Sequence, residues 1–450
     1  MLKKNDIVEL QVERFGNDGE GVCRADGMAV FVPLALPGEK LLARIVKAQK
    51  TYAYGKLEEI ISANPQRAVS PCPSFPRCGG CAHLHMDYAL SLECKREKIE
   101  SALRRIGGFE DASVPPVIGA ENPYHYRNKA ALPVIRDESG RFRAGFYAQR
   151  SHRLIATDSC LLERKELLLA QEALLQALSA QTLTAYNEET GEGLIRHLVL
   201  RQTRSGEVMA VIVVNGGRLP AAKLVWESAV SRCQKLVSLY ININTESTNA
   251  IFGKKSQLLY GKAALSDTLC GFEYEISPQA FFQVHPEQTE KLYQTAVDFC
   301  EPNKGERIFD LYSGAGTITL PLAARAGSVT GIEIVPEAVE NAKENAKRNG
   351  ITNADFVCGA AEDVFPRLCA RGEKPDTILL DPPRKGAEPS AIKAIIDASP
   401  KKVVYVSCDP ATQARDLKLL GEGGYRLVKT QGVDMFCWCA GVENVALMMK

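Results

Sequence analysis

The stretch DLYSGAG, Asp310 to Gly316, decides the fold that the sequence predicts. It follows the apolar run RIF and precedes TITLPLAARAG, so a strand enters a glycine turn and a helix leaves it. Strand and helix patterns then alternate toward the C-terminus, through VTGIEI, PEAVENAKENAKRNG, ADFVCGAAEDV, DTILLDPPRKG, KKVVYVSCDP and ENVALMM. Such alternation predicts an α/β domain with a doubly wound, Rossmann-like parallel sheet.

The glycine turn lacks the third glycine of the dinucleotide fingerprint, because Thr319 stands at that position after Gly314 and Gly316. This weakens a nicotinamide or flavin interpretation. Glu333 ends the next strand, where its carboxylate can accept hydrogen bonds from both hydroxyls of a ribose. Asp381 ends a later strand, in LLDPPR, and is expected to line the same crevice. An acidic ribose ligand, no pyrophosphate loop and a DPP motif together resemble the S-adenosylmethionine-dependent methyltransferase fold.

A cysteine ends the strand after DPPR, in VVYVSCDPAT, and Asp409-Pro410 stops the strand directly behind it. DPP motifs with an aromatic fourth residue serve methylation of amino nitrogens, whereas Arg384 has no ring. Cys408 favours another chemistry, because a thiolate that adds to C6 of uracil makes C5 nucleophilic enough to take a methyl group. A base must then remove the C5 proton, and Glu443, at the entry to the last strand, is the best-placed carboxylate.

The composition of the 450-residue chain, with 45% hydrophobic and 24% charged residues, is typical of a globular protein of two or three domains. No apolar stretch is long enough for a membrane helix, and MLKKNDIVEL contains no signal peptide. The 14 cysteines are therefore expected to be reduced thiols, metal ligands or catalytic groups. This predicts a cytoplasmic protein without a membrane partner, and no protein partner is implied.

Basic residues are concentrated in two places although the net charge is only +1. The first is Lys40 to Lys56, which contains no acidic residue. The second is a run interleaved with Tyr124, Tyr126, Phe142, Phe146 and Tyr147, and its cations are Arg127, Lys129, Arg136, Arg141, Arg143, Arg150 and Arg153. Cations beside aromatic rings suit single-stranded nucleic acid, although a solvated face with ordinary core aromatics fits the same pattern.

The N-terminal part of the chain has short strand patterns separated by the glycine turns NDGEG and PGE, which predict a five-stranded barrel of the oligonucleotide-binding (OB) kind. The proline-rich SANPQRAVSPCPSFP marks a boundary, and helices are predicted over 88–106 and 161–178. The expected domains are a barrel over 1–60, a β-rich central RNA-binding domain over 61–270, whose helix 88–107 packs on the catalytic domain, and a catalytic domain over 271–450.

Three cysteines, Cys72, Cys78 and Cys81, are clustered in PCPSFPRCGGCAH. The candidate fourth ligand is Cys160, in TDSCLL. Three clustered thiolates and one distant thiolate suit a four-cysteine iron–sulfur cluster or a structural zinc.

The motifs FFQVH, DLYSGAGTITL, DPPRKG, VSCDP and GVENV resemble the RNA uracil-5-methyltransferase family over the whole chain. The resemblance implies that Cys408 is the nucleophile and Glu443 the general base. It implies that S-adenosylmethionine is bound by residues beside the turn glycine Gly314, namely Gln283, Tyr312, Glu333 and Asp381. It also implies that the barrel is an RNA-gripping TRAM domain. As in the ribosomal members, a structural [4Fe-4S] cluster would be held by Cys72, Cys78, Cys81 and Cys160.

Two segments depart from the family pattern. His285 stands in FFQVH where the family usually has asparagine, and CWCAG, Cys437 to Gly441, replaces a segment expected to neighbour the target base. The predicted function is methylation of uridine C5 in RNA, 23S ribosomal RNA being favoured, with the target uridine extruded from its stack. The alternatives are a transfer-RNA uridine methyltransferase, a cytosine-C5 enzyme, and a non-catalytic RNA-binding iron–sulfur protein.

Overall fold

The N-terminal part of the chain forms a closed barrel with the strand order β1-β2-β3-β5-β4. The computed structural model describes residues 2–149 and 151–450, so Arg150 of the basic run lies outside the described residues. Alternate strand residues such as Val30 and Ile45 are fully buried inside the barrel, as the two-residue period of a strand requires. The predicted five-stranded barrel is confirmed, with strands Ile7–Phe15 (β1), Gly21–Ala25 (β2), Met28–Val32 (β3), Lys40–Ala48 (β4) and Tyr52–Ser62 (β5).

A helix, α1, follows the barrel over Tyr88–Arg105, as the sequence predicts. The Asp87 side chain accepts a hydrogen bond from the backbone N–H of Leu90 at 2.8 Å and so caps the first turn. Ile99 and Leu103 are buried in a core that they share with residues of the C-terminal sheet. Helix α1 therefore lies against the C-terminal part of the molecule.

The central part of the chain forms a seven-stranded sheet with the order β12-β11-β10-β9-β6-β7-β8. The second predicted helix begins at Lys165 rather than Leu161, because the preceding residues bond in extended form to the 125–127 segment, with Arg127 N–H donating to the Leu162 carbonyl at 2.8 Å. The elements are Lys129–Arg136 (β6), Phe142–Tyr147 (β7), Leu154–Ala156 (β8), Lys165–Ser179 (α2), Ile195–Gln202 (β9), Val208–Val214 (β10), Ala222–Arg232 (α3), Leu236–Ile243 (β11) and Lys255–Gly261 (β12).

A two-stranded ribbon, Leu265–Leu269 (β13) and Phe272–Ile276 (β14), leads into a second seven-stranded sheet with helices on both faces. Its order is β17-β16-β15-β18-β19-β21-β20. The elements are Pro286–Cys300 (α4), Arg307–Leu311 (β15), Thr319–Arg325 (α5), Ser328–Glu333 (β16), Pro336–Arg348 (α6), Ala354–Cys358 (β17), Ala361–Ala370 (α7), Thr377–Leu380 (β18), Pro389–Ala398 (α8), Lys402–Ser407 (β19), Pro410–Glu422 (α9), Arg426–Val433 (β20) and Glu443–Met449 (β21).

The predicted doubly wound sheet is confirmed for its five parallel strands, and it differs at one edge. Strand β21 runs antiparallel to both β19 and β20. The sequence analysis did not anticipate β20, because most of its first residues are exposed and it lacks the continuous apolar run of a buried parallel strand. In the part of the chain that the structure describes, no helix is long and apolar enough to cross a bilayer.

Candidate active site

The DLYSGAG turn holds the carboxylate of the neighbouring strand end. Glu333 Oε2 accepts a hydrogen bond from the backbone N–H of Gly314 at 3.0 Å, and its Oε1 accepts one from Val335 N–H at 2.9 Å. Gly314 and Gly316 have φ values of 55° and 81°, a region that favours glycine. A Cβ on Gly316 would also lie 3.2 Å from the Phe356 ring. The predicted turn and the predicted ribose ligand are thus in direct contact.

The residue at the missing third glycine position has a polar partner that the sequence analysis missed. Thr319 Oγ1 donates a hydrogen bond to Asp310 Oδ2 at 2.5 Å, and both residues are buried. Burial raises the pKa of Asp310 to about 7 against the effect of this bond, and the nearby charges of Asp381 and Glu333 raise it further. Three carboxyl groups, those of Asp310, Glu333 and Asp381, therefore lie close together at one end of the parallel strands. The contact between Thr319 and Asp310 could have been predicted from a hydroxyl residue nine positions after a strand-end aspartate.

A buried tyrosine of α4 lies between two other predicted cofactor residues. The Tyr293 hydroxyl is 3.1 Å from Thr317 Oγ1 and also hydrogen-bonds to the Gln283 side chain. Burial raises the pKa of Tyr293, and the charge of Asp381 adds to this. Gln283 and Asp381 are therefore both close to one buried hydroxyl.

The fifth predicted cofactor residue, Tyr312, has its hydroxyl on the side of α7 and α8. Burial raises the pKa of Tyr312 to about 12, the charge of Glu362 adds to this, and a hydrogen bond from the backbone of Glu388 opposes it. Its φ of 69° is unusual for a residue other than glycine. The turn thus directs the Tyr312 hydroxyl and the backbone N–H of Gly314 to different partners, Glu388 and Glu333.

Cys408 lies directly after β19, at the sharp stop that the sequence predicts. Asp409 Oδ1 accepts hydrogen bonds from the backbone N–H groups of Ala411 at 2.9 Å and Thr412 at 3.1 Å. Pro410 occupies the first turn of α9, where its missing N–H costs nothing. The strand-to-helix turn therefore fixes Cys408 at the carboxyl end of the sheet.

Glu443 lies beside Cys408 because β21 is antiparallel to β19. Ser407 and Asn444 form the last pair of this ladder, Cys408 follows Ser407 and Glu443 precedes Asn444, and the charge of Glu443 acts on the Cys408 thiol. Glu443 is buried, with 4% of its surface exposed, whereas Cys408 is half-buried. The structure thus brings together the predicted nucleophile and the predicted base.

Electrostatics in this part of the crevice favour the neutral forms of both groups. Burial raises the pKa of Cys408 to about 11, the charge of Glu443 adds to this, and the charge and hydrogen bond of Arg384 oppose it. Burial and the charge of Asp381 raise the pKa of Glu443, again opposed by Arg384. Burial raises the pKa of Asp381 to about 7. Arg384 is the cation common to Cys408 and Glu443, and the sequence analysis noted only its lack of a ring.

His285, the first departure from the family pattern, caps helix α4. Its Nδ1 accepts a hydrogen bond from the backbone N–H of Gln288 at 3.4 Å, and its ring stacks on Tyr126 with centroids 4.4 Å apart. Asparagine is also a preferred N-cap residue, so the exchange keeps the capping role.

The CWCAG segment, the second departure, packs against the cysteine-rich segment. The Trp438 carbonyl accepts hydrogen bonds from the N–H groups of Ala82 at 2.8 Å and His83 at 2.9 Å. The Trp438 ring stacks on Tyr124 with centroids 5.3 Å apart, and Cys437 is fully buried. The structure therefore gives this segment packing contacts with the cysteine-rich segment, and its expected place beside the target base stays a prediction.

Much of the basic aromatic run also has a packing role. Tyr126 and Phe142 are each 2% exposed, so their rings are not available to unstacked bases. Arg143 pairs with Asp158 at 2.7 Å. Arg127 and Lys129 are half-buried cations of the run for which the described residues show no ion pair.

Of the four cysteines predicted as metal ligands, Cys72, Cys78 and Cys160 are close enough to Cys81 to act on its thiol. Burial raises the pKa of Cys81, and so do the charges of Cys439, Cys160, Cys78 and Cys72. Within residues 2–149 and 151–450, however, no three histidine, cysteine, aspartate or glutamate side chains are arranged to hold a metal ion. The structure therefore does not support the predicted [4Fe-4S] cluster.

A fifth thiol, which the sequence analysis did not assign to this place, belongs to the CWCAG segment. Cys439 Sγ donates a hydrogen bond to the Gly80 carbonyl at 3.1 Å. The spacing of cysteines along the chain could not predict this contact, because most of the sequence separates Cys439 from Cys81.

A doubly wound sheet with a glycine turn, a strand-end glutamate bonded to that turn and further carboxylates in the crevice defines a methyltransferase that uses S-adenosylmethionine. The family model described as tRNA (Uracil-5-)-methyltransferase matches residues 87–450, and the TRAM domain model matches residues 2–57. The chain belongs to this tRNA (uracil-5-)-methyltransferase family and carries an N-terminal TRAM domain. It is an RNA methyltransferase that uses S-adenosylmethionine and acts on C5 of uracil.

Similar proteins match nearly the full length of the chain. An uncharacterized RNA methyltransferase of Halalkalibacterium halodurans is 42% identical over 448 residues, which cover 99% of this chain and 98% of the relative. One of Clostridium acetobutylicum is 40% identical over 455 residues, covering 100% and 98%. The structure of Pyrococcus abyssi tRNA (uracil-54, C5)-methyltransferase with S-adenosyl-L-homocysteine matches with a TM-score of 0.79 and 27% identity, covering 98% of this chain and 100% of that one.

Proposed function

We propose that this enzyme methylates C5 of a uridine in 23S ribosomal RNA, with Cys408 as nucleophile and Glu443 as general base. The observation that carries the proposal is the proximity of these two residues next to the Ser407–Asn444 pair, at the carboxyl end of β19. Covalent catalysis on a pyrimidine needs a thiol that attacks C6 and a separately held base that removes the proton from the neighbouring C5. Arg384, hydrogen-bonded to Cys408, stabilises the thiolate.

The reaction balances with these two groups. The Cys408 thiolate forms a bond to C6, and the electron pair of the C5–C6 double bond moves toward C5 and the C4 carbonyl. C5 then accepts a methyl group. Glu443 takes the proton from C5, the C5–C6 double bond reforms, and the sulfur–C6 bond breaks to release the Cys408 thiolate. The raised pKa of Glu443 makes its carboxylate a stronger base than an ordinary one.

The cofactor would be held by residues around the glycine turn. Glu333, fixed by Gly314 and Val335, has carboxylate lone pairs left for ribose hydroxyls. The remaining cofactor residues that we propose are Gln283, Tyr312, Gly314 and Asp381. When bound, S-adenosylmethionine supplies the methyl group that C5 accepts.

The proposed preference for 23S ribosomal RNA rests on the cysteine-rich segment, which resembles that of the ribosomal members of the family. The second candidate substrate is transfer RNA, since the similar Pyrococcus abyssi enzyme acts on uracil-54 of tRNA. We propose that the RNA is held by a barrel over 1–60 and a central domain over 61–270, and that residues 271–450 carry out catalysis.

The test uses RNA in which uridine is replaced by 5-fluorouridine, because a C5 fluorine cannot be removed as a proton and the adduct persists. Incubation of 23S ribosomal RNA of this kind with the enzyme and S-adenosylmethionine should give a denaturation-resistant complex that Cys408→Ala does not form. No complex with either RNA contradicts the mechanism. A complex with substituted transfer RNA alone assigns the enzyme to the second candidate substrate.

The [4Fe-4S] cluster stays a prediction that rests on the family resemblance of Cys72, Cys78, Cys81 and Cys160. Anaerobic purification should give broad visible absorbance and about four irons per chain if the cluster forms. A colourless protein without iron contradicts the prediction.

A further inference from the structure

Two cations face each other on the central sheet next to the candidate active site. Lys129 on β6 and Arg201 on β9 are directly opposite in the antiparallel ladder, so their side chains lie on the same face. Arg127, two residues before Lys129, adds a third positive charge that Lys129 senses. In the ranges that the structure describes, none of the three forms an ion pair with a carboxylate within 4.0 Å.

Both strands are bonded to the loop that carries Gln283. The Arg201 guanidinium donates a hydrogen bond to the Ala280 carbonyl. Asn128, next to Lys129, donates from Nδ2 to the Gln283 carbonyl at 3.0 Å and from its backbone N–H to the Val284 carbonyl at 3.0 Å. The cations therefore lie at the edge of the crevice.

The loop between these bonds presents an aromatic ring to solvent. Phe281 is 77% exposed, although it lies between Ala280 and the buried Phe282. An exposed ring with cations behind it offers a stacking face for a base and positive charge for the attached phosphate.

The charge cluster is unsatisfied in the protein alone. Arg201 is 5% exposed, and its Nε has no hydrogen-bond partner among the described residues. Burial lowers the pKa of Arg201 to about 10, and burial with the charges of Arg201 and Arg127 lowers the pKa of Lys129 to about 8. The charge of Arg127 acts on the Glu163 carboxyl group, but the two do not form an ion pair within 4.0 Å in the ranges that the structure describes. A buried cation without a counter-charge is unfavourable, and a bound anion would relieve it.

We propose that Lys129 and Arg201, with Arg127 beside them, bind a phosphodiester group of the RNA next to the nucleotide that reacts with Cys408. The inference rests on the proposed function, since it takes the reacting nucleotide to lie beside Phe281. RNA is favoured over the carboxylate of the cofactor because the cations belong to the central sheet, whereas the turn and the Glu333 carboxylate that would hold the cofactor belong to the C-terminal sheet.

The experiment compares binding of the pentamer r(AAUAA) with binding of the same pentamer whose two phosphodiesters flanking uridine are neutral methylphosphonates. Full-length wild-type enzyme should bind the charged pentamer about ten- to a hundredfold more tightly. Lys129→Met should weaken binding of the charged pentamer and reduce that ratio to a few-fold. Lys374→Met is the control, because Lys374 lies on the loop before β18, at the amino end of the parallel strands, and this variant should retain the wild-type ratio.

Arg201→Met should reduce the pentamer ratio as Lys129→Met does. Because Arg201 is buried, its variant can fail to fold, and the half-buried Lys129 then provides the test. The dissociation constant for S-adenosylmethionine should not change in Lys129→Met. An unchanged pentamer ratio in Lys129→Met, or no discrimination by the wild type, overturns the inference. Weaker S-adenosylmethionine binding with unchanged pentamer binding also overturns it. A wild-type enzyme that discriminates the pentamers but forms no adduct with 5-fluorouridine RNA refutes the proposed function and leaves the phosphate site standing.

Discussion

Cys408 and Glu443 adjoin the Ser407–Asn444 pair that ends the antiparallel ladder of β19 and β21, and the charge of Glu443 acts on the Cys408 thiol. The end of one strand thus meets the beginning of another. Backbone hydrogen bonds of the ladder fix the neighbouring residues Ser407 and Asn444, so the main chain positions Cys408 and Glu443 close to each other. The ladder keeps the proposed base close to the proposed nucleophile but on a separate strand, as attack at C6 and proton removal at C5 require.

Glu443→Gln should separate the two halves of the proposed reaction. The thiolate can still add to C6 and C5 can still accept a methyl group, but no carboxylate removes the C5 proton. A methylated RNA–protein adduct should therefore accumulate with ordinary uridine RNA, visible as a slow band on denaturing gels. Cys408→Ala should give no band, and Cys408→Ala/Glu443→Gln should match it. Normal turnover by Glu443→Gln would show that another group is the base.

The alkylation rate of Cys408 should report the electrostatics of the crevice. With a thiol pKa of about 11 in the cofactor-free enzyme, the thiolate fraction rises about tenfold for each pH unit between pH 8 and 10. Arg384→Met removes a charge and a hydrogen bond that lower this pKa, so iodoacetamide should react more slowly at pH 9. Mass spectrometry of the Cys408 peptide measures the rate. A rate that levels off below pH 8 in the wild type would contradict the raised pKa.

Local patterns predicted the parts of the fold and site that depend on neighbouring residues in the chain. The strand, turn and helix around Gly314 and the stop after Cys408 follow from glycine, aspartate and proline at fixed positions. The antiparallel edge could not be predicted, because β20 is half exposed and its register is set by β21. Cys439 was missed for the same reason, since its contact with Gly80 joins distant parts of the chain.

Glu333→Ala should weaken cofactor binding with little effect on the fold. Among the residues that the structure describes, the carboxylate bonds to the backbone groups of Gly314 and Val335 alone, and its loss removes the proposed ribose acceptor. The dissociation constant for S-adenosylmethionine, measured by calorimetry, should rise about tenfold or more. Glu337→Ala, on the first turn of α6, is the matched control and should bind normally. Equal affinities in both variants would remove Glu333 from the cofactor site.

Lys95→Met should destabilise the segment that leads to Glu443. Lys95 Nζ lies 2.6 Å from Asp434 Oδ1, and both side chains are fully buried. Removing the cation alone leaves a buried carboxylate unpaired, which costs about 3–5 kcal/mol of unfolding free energy. The Asp434 carboxylate also accepts a hydrogen bond from Tyr88 at 2.9 Å, so Lys95→Met/Asp434→Asn, which keeps an acceptor there, should recover most of the loss. Urea unfolding in a Trp226→Phe background, where Trp438 beside this segment is the remaining tryptophan, measures the effect. Equal stability of the single and double variants would mean that the ion pair is not what holds the segment.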